Sequence, residues 1–461
     1  MNIWINKIIN ETPSSDYSRA YVFSLNHLVK STIYSSLKDT WLDIGKRPID
    51  AIYEDLLVIA LSIFAVDKRV SRWRTNDKWT RNINISIPVL EFDKWEEVKY
   101  LWNSTLSFLT GDVWNVNFRT TNARYGDSSR PSKNPIDISK SKAVCLFSGG
   151  LDSFCGAIDL LNKGESICLL GHNEYPKLRE KQEYLRDLLR ANYPHQFIEF
   201  IDFTANSRAP INNEGILLKG TENTCRGRSL LFLAAAISIA GALGPVVPVH
   251  IPENGFIGLN IPLTNSRKGT CSTRTTHPHF LRLFSKIIQS VGINNAVENF
   301  FAYKTKREVV NQVKDSQAFK QGAGKTISCS HPCLPRWKRE GDRTYPKNCG
   351  YCYPCIIRKS SLQGITLNDD SYSYNSISLD FLRHYSTGSK INDLNAVINS
   401  VYRYVHSDDS ELKRLIMCTG NLTAEEIGAF LHVYKSTMDD LITMFSKDQD
   451  MKNYIGLSDN E

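Results

Sequence analysis

The chain has 461 residues, 41% of them hydrophobic and 23% charged, with a net charge of +8 and a pI near 8.8. These are ordinary values for a soluble globular protein of two or three domains, and the mild positive charge suits an anionic ligand or nucleic acid without demanding either. The longest apolar run, LLFLAAAISIAGAL (230–243), is shorter than the roughly 20 residues of a bilayer span and reads as a buried helix, so no membrane partner is expected.

Residues 1–125 mix elements. DAIYEDLLVIALSIFAVDKRV (50–70) reads as an amphipathic helix, and FDKWEEVKYLWNSTLSFL (92–109) is helical too. NINISIPV (82–89) and VWNVNF (113–118) alternate like half-buried strands. An accessory α+β domain without a catalytic constellation is expected. Within it, SRWRTNDKWTRN (71–82) interleaves Arg72, Arg74, Lys78 and Arg81 with Trp73 and Trp79. A tRNA-modifying enzyme would need such a basic, stacking face, while solvated surface plus ordinary packing is the simpler reading. Residues 126–142, rich in Ser, Pro, Lys and Asp, read as a linker.

At 143 the texture changes. AVCLF (143–147), SICLLG (166–171), FIEFID (197–202) and VVPVHI (246–251) are short apolar runs separated by helical patterns near 153–163, 178–191 and 229–243. Runs of this kind fit strands buried on both faces, and the alternation predicts an α/β fold with a doubly wound parallel sheet over 143–325.

The first of these strands runs into Ser148-Gly149-Gly150-Leu151-Asp152-Ser153. In an open parallel sheet, ligands bind beyond the carboxyl ends of the strands. Two glycines let backbone N–H groups converge there, and the helix that follows adds its positive end. Ser148 and Ser153 offer hydroxyls to phosphate oxygens. Asp152 would repel a bare phosphate, so it makes sense chiefly when a divalent cation such as Mg²⁺ bridges it to the ligand. The turn is a phosphate cradle with a metal handle, and its spacing is not that of a Walker P-loop.

Residues 326–362 hold Cys329, Cys333, Cys349, Cys352 and Cys355, five of the eleven cysteines. Clustering of this kind, in a chain whose start MNIWINKIINETPSSD lacks a signal-peptide pattern, points to a metal site in a cytoplasmic protein rather than to disulfides. Four sulfurs favour structural zinc. An iron–sulfur cluster is the competing reading, although the cysteine such a run expects three residues after Cys355 is missing. Residues 363–461 read as a helical region, with Thr423 and Glu426 forming a capping box that opens an amphipathic helix.

The S-G-G-x-D-S hexapeptide resembles the signature of the PP-loop ATP pyrophosphatases, a branch of the adenine nucleotide α-hydrolase-like fold. That likeness implies ATP as the nucleotide, cleavage between its α and β phosphates, and transfer of AMP to a substrate oxygen. With the S-C…C-G-x-C-x-x-C…R segment it narrows to a likeness to 7-cyano-7-deazaguanine synthase (QueC) over about 142–362. The likeness implies Cys329, Cys349, Cys352 and Cys355 as zinc ligands, with Cys333 extra and its exchange for Cys329 open. CRGRSLLFLAAAISIA (225–240) resembles the family's Arg-Asn-x-x-Phe-Leu helix start, which puts Arg228 on the family arginine and Ser229 in place of its asparagine. Between Gly and Pro breaks, 251–284 carries Glu253, Asn254, Arg274 and His277, candidate substrate residues whose bland alternative is capping of loop ends.

The added N-terminal section and helical tail are similar to the QueC-like proteins of bacterial anti-phage operons, the QatC type of the Qat system, with the type IV CBASS relatives as neighbours. The resemblance implies that a carboxylate, by analogy 7-carboxy-7-deazaguanine, is adenylated in the cradle and joined to an amine. The expected acceptor is the amino terminus of an operon-encoded partner protein. Asp152, Ser153 and Arg228 are the expected catalytic residues. Nitrile synthesis for nucleic-acid modification, a tRNA-modifying enzyme and a non-enzymatic nucleotide-gated scaffold are the alternatives.

Overall fold

The computed structural model describes residues 1–8, 11–25, 31–45, 49–125, 135–175, 177–263, 274–337, 343–367, 372–375, 377–385 and 389–457. Residues 126–134 of the expected linker and 264–273 of the 251–284 stretch lie outside the described residues.

The N-terminal sheet is built from β1 (Asn2–Asn6), β2 (Tyr21–Ser24), β3 (Asn82–Val89) and β4 (Val113–Thr120), in the order β2-β1-β3-β4, with Ile211–Asn212 antiparallel on the β2 edge. All pairings among the four are parallel, with Ile85 opposite Val116 and Trp4 opposite Ser86. This corrects the α+β expectation. Helices Phe92–Glu97 and Lys99–Thr110 carry the chain from β3 back to the start of β4, and a helical crossover returns a strand in the same direction.

Helix α1 (Ala51–Arg69) also departs from its expected amphipathic character, since every residue from Tyr53 to Asp67 is buried. It lies in one core between this sheet and a second apolar helix, so it has no solvent face. Its acids survive burial because each is partnered. Asp55 accepts from the N–H groups of Leu90 and Glu91 and from Trp95 Nε1, and Glu54 pairs with buried Lys7 at 2.7 Å.

The central sheet comprises β5 (Ala143–Leu146), β6 (Ile167–His172), β7 (Ile198–Phe203), β8 (Val249–His250) and β9 (Val297–Glu298), all parallel, in the order β9-β8-β5-β6-β7. Alternate residues serve two cores. Val144, Cys168, Leu170 and Phe203 join α1, while Cys145, Phe147, Leu169 and Phe200 join α2 (Leu151–Asn162) and α3 (Leu178–Asn192) on the other face. Burial on both faces explains the near-continuous apolar runs, and each large aliphatic side chain so buried contributes roughly 1.5–3 kcal/mol.

The second apolar helix, α4 (Arg226–Leu243), meets the length and apolarity of a membrane span, yet it lies in this core alongside α1. Strand order reverses between β5, which leads to β6 and β7, and β8, which leads to β9. The carboxyl ends of β5 and β8 therefore bound the crevice in which such sheets bind ligands. Beyond the sheet, α5 (Pro278–Ser290) and α6 (Lys306–Val313) precede the cysteine segment and its helix α7 (Tyr353–Ser361). The tail, including the capped helix α8 (Ala424–Phe445), packs on that segment and on Phe256 and Leu259 in a core of its own.

Candidate active site and metal centre

The Ser148–Ser153 turn occupies the crevice. Gly149 sits at φ +79°, a conformation that favours glycine, and a Cβ there would lie 3.2 Å from Gln182 Cγ. Gly150 is the residue before α2, whose first N–H groups have no partner within the helix. Hydroxyls gather around them. Ser148 Oγ accepts from Gly150 N at 3.3 Å and lies 3.2 Å from Ser153 Oγ, and Ser328 Oγ accepts from Leu151 N at 3.0 Å. Ile327 N donates to Gly149 O at 2.9 Å, so the chain leading to the cysteines straps the turn from outside.

Asp152 projects from the first turn of α2 and is held from two directions. Lys306 Nζ approaches Oδ1 at 2.7 Å, and Asn254 Nδ2 donates to Oδ2 at 2.8 Å. Lys306 is the residue sequence reasoning missed. It opens α6 behind a Thr305–Glu308 capping box, 154 positions from its partner, and its side chain is only 5% exposed. The acceptor capacity left on the Asp152 carboxylate fits a divalent cation, with Ser148 and Ser153 beside it.

A cavity of about 190 Å³ opens from this turn. Ser148, Asp152 and Ser153 line one part, Leu146, Phe232, Leu233, Ile251 and Pro252 supply apolar walls, and Ser229, Glu253, Thr275 and Thr276 add polar groups. Burial pushes the Glu253 carboxyl up to about 7; the Asp152 charge adds to the rise, while Thr276 and Lys306 oppose it.

The other expected residues divide. Asn254 caps Gly255–Leu259 through its Oδ1 while its amide holds Asp152, and it is not among the residues that line the cavity. Arg228, in the first turn of α4, pairs with Glu174 outside the cavity lining, one residue before Ser229. Arg274 and His277 are not brought to the cavity. Arg274 donates to Phe108 O at 2.9 Å and lies over the Phe108 ring. His277 is the buried cap of α5, accepting from His279 N, with Nε2 3.1 Å from Thr419 Oγ1 of the tail. Burial holds that imidazole down to about 3, so it is neutral, and it acts as a junction between the sheet domain and the tail.

The basic stretch 71–82 does not form the face a nucleic-acid reader needs. Arg81 is buried between Asp67 and Asp112 at 2.6 and 2.5 Å, and Arg72 is buried on Asp112 at 2.6 Å. Arg74 donates to Lys219 O, and Lys78 lies over the exposed Trp73 ring. The buried charges have a different use: Asp67 Oδ2 accepts from Gly227 N at 3.0 Å and Thr224 Oγ1 at 2.8 Å, anchoring the start of α4, the helix that carries Ser229, Phe232 and Leu233.

The sulfurs of Cys329, Cys349, Cys352 and Cys355 all lie within 4.8 Å of one another, with Cys349–Cys355 at 4.0 Å and Cys352–Cys329 at 3.9 Å. Tetrahedral zinc with bonds of about 2.3 Å puts sulfurs about 3.8 Å apart, so the four suit one ion. Backbone N–H groups of Ser330, His331, Cys349 and Cys352 point at these sulfurs at 3.2–3.4 Å, the donors that thiolates accept. Cys333 is outside the group, and the fourth sulfur in it is that of Cys329. Gly350 allows the knot to close, with φ at +96° and the place of a Cβ only 2.2 Å from Tyr374 O.

No family model matches the chain. Over 266 residues, 53% of the chain, it is 25% identical to the 7-cyano-7-deazaguanine synthases of Leptospira interrogans serogroup Icterohaemorrhagiae, serovars copenhageni and Lai, and covers 96% of each. Over 252 residues it is also 25% identical to the 7-cyano-7-deazaguanine synthase of Sulfolobus acidocaldarius, covering 47% of that protein. Across about half of its length, the chain is a distant relative of the 7-cyano-7-deazaguanine synthases.

Proposed function

We propose that the chain is an ATP-using enzyme of the QueC type that adenylates a carboxylate, 7-carboxy-7-deazaguanine by likeness to its relatives, and passes the acyl group to an amine. The observation that carries this reading is the glycine turn at the strand-order reversal, with its hydroxyls and a fixed Asp152 opening directly into a cavity. The substrate carboxylate attacks the α-phosphorus of ATP, the α–β bridge breaks, and pyrophosphate leaves with the electron pair. The N–H groups at the start of α2 and the Ser148 and Ser153 hydroxyls receive the developing charge on the phosphates. Asp152 would hold Mg²⁺, which supplies charge neutralisation on the polyphosphate. The amine then attacks the acyl carbon, AMP departs, and one proton is released to solvent.

The acceptor we favour is the amino terminus of an operon-encoded partner protein, in cytoplasmic anti-phage defence of the Qat kind. Supporting this, the N-terminal section and the helical tail flank the site. Asp67 grips α4 from the N-terminal side, and the tail packs against Phe256, just beyond Glu253 and Asn254. Intact-mass measurement of the partner, expressed with this chain or with its Asp152→Ala variant, tests the reading. An added deazaguanine acyl mass that depends on Asp152 is expected. Release of the free nitrile with an unmodified partner would replace acylation by nitrile synthesis, and no pyrophosphate release with any deazaguanine acid would end the enzymatic reading.

A further inference from the structure

We infer that Glu253 and Thr276 read the hydrogen-bonding edge of a guanine-type base, setting which heterocyclic acid the cavity accepts. This inference rests on the proposed reading that the substrate is a deazaguanine acid. Glu253 lines the cavity with no ion pair among the described residues, because Lys306, the cation that influences it, is bound to Asp152. Thr276 Oγ1 beside it is buried and, apart from Glu253 itself, has no hydrogen-bond partner among the described residues. A buried hydroxyl in this state, set beside a half-buried carboxyl that lines the same cavity, calls for a partner from a ligand.

The two side chains together offer a carboxyl-oxygen acceptor and a hydroxyl donor. A guanine-type edge presents the reverse, with the 2-amino group and N1–H as donors and O6 as acceptor. Phe232, Ile251 and Pro252 give the apolar walls that a flat bicyclic ring packs against. In 7-carboxy-7-deazaguanine the acid stands on the five-membered ring, away from the N1 edge. A base held by Glu253 therefore has its carboxylate free to reach the Ser148–Ser153 end of the same cavity.

The test measures ATP-dependent pyrophosphate release from 7-carboxy-7-deazaguanine and from its analogue lacking the 2-amino group, with the full-length chain and its Glu253→Gln and Thr276→Val variants. The unaltered chain is expected to lose about 10- to 100-fold in kcat/KM with the analogue, the discrimination one bidentate base contact gives. Glu253→Gln is expected to lose a similar factor on the deazaguanine acid, mainly through KM, and to treat the two acids nearly alike, with ATP affinity by calorimetry unchanged. Should that variant fold poorly, Thr276→Val reports through a smaller loss, unaltered by removal of the 2-amino group. Equal discrimination by the unaltered chain and Glu253→Gln would overturn the assignment of the reader while leaving the adenylating function intact. An unaltered chain that releases no pyrophosphate from either acid would instead strike the underlying function.

Discussion

The Asp152–Lys306 pair offers a stability measurement that reports on the site without substrate. Its charges are 2.7 Å apart with side chains 16% and 5% exposed. At an effective dielectric of about 20 the attraction at that distance is about 6 kcal/mol before desolvation is counted. Desolvation of both groups offsets much of it, and removing one member of a buried pair costs about 3–5 kcal/mol because the other charge stays behind. Asn254 still donates to the carboxylate, so Lys306→Met should fall at the lower end, near 3 kcal/mol. Adding Asp152→Asn removes the stranded charge, and the double variant should recover about 2 kcal/mol of coupling. Urea unfolding at neutral pH, followed by tryptophan fluorescence and by circular dichroism with coincident transitions required, measures each corner of the cycle. A coupling below about 0.5 kcal/mol would mean that the pair is solvated in solution and that Lys306 does not position Asp152.

Cys352→Ser should reduce bound zinc, measured by elemental analysis, from one ion per chain to a small fraction, and Cys333→Ser should leave it unchanged. Gly350→Ala should destabilise the cysteine segment by about 3 kcal/mol or more, seen as earlier chelator-induced metal release, because of its φ of +96° and the 2.2 Å approach to Tyr374 O. Burial raises Asp55 to about 6 from an ordinary 3.8, so its contribution to stability is full below about pH 4 and is lost as pH rises through 6. Across that window Asp55→Asn should remove a decline on the order of 3 kcal/mol from the denaturation-derived stability curve. With Arg72 and Arg81 buried, stretch 71–82 keeps two outward cations, Arg74 and Lys78, and any tRNA binding there should show a log–log salt slope no steeper than about −2.

The central sheet was legible because its strands are buried on both faces and so read as apolar runs. Strand β9 escaped because two residues, Val297 and Glu298, carry no periodicity. The turn at 148–153 and the cysteine spacing were legible because their chemistry is local, with each ligand or donor within a few residues of the next. Partnerships across the fold were not. Nothing around Lys306 marks it as the counter-charge of a residue 154 positions earlier, and nothing in SRWRTNDKWTRN shows that Asp67 and Asp112 neutralise two of its arginines. Arg274 and His277 looked chemical because of residue type, whereas tertiary packing gives them to Phe108 and Thr419.

The strap formed by Ile327 and Ser328 joins two sites that would otherwise be separate. These residues touch the glycine turn directly, and Cys329, next in line, belongs to the four-sulfur cluster, while Cys355 Sγ lies 3.6 Å from Ser328 O. Disrupting the sulfur cluster would free this short tether while leaving the cores of both sheets intact, since none of the four sulfurs belongs to them. Were the cluster to hold an ion, metal supply and the redox state of these thiols would then set how much of the folded population keeps the glycine turn braced.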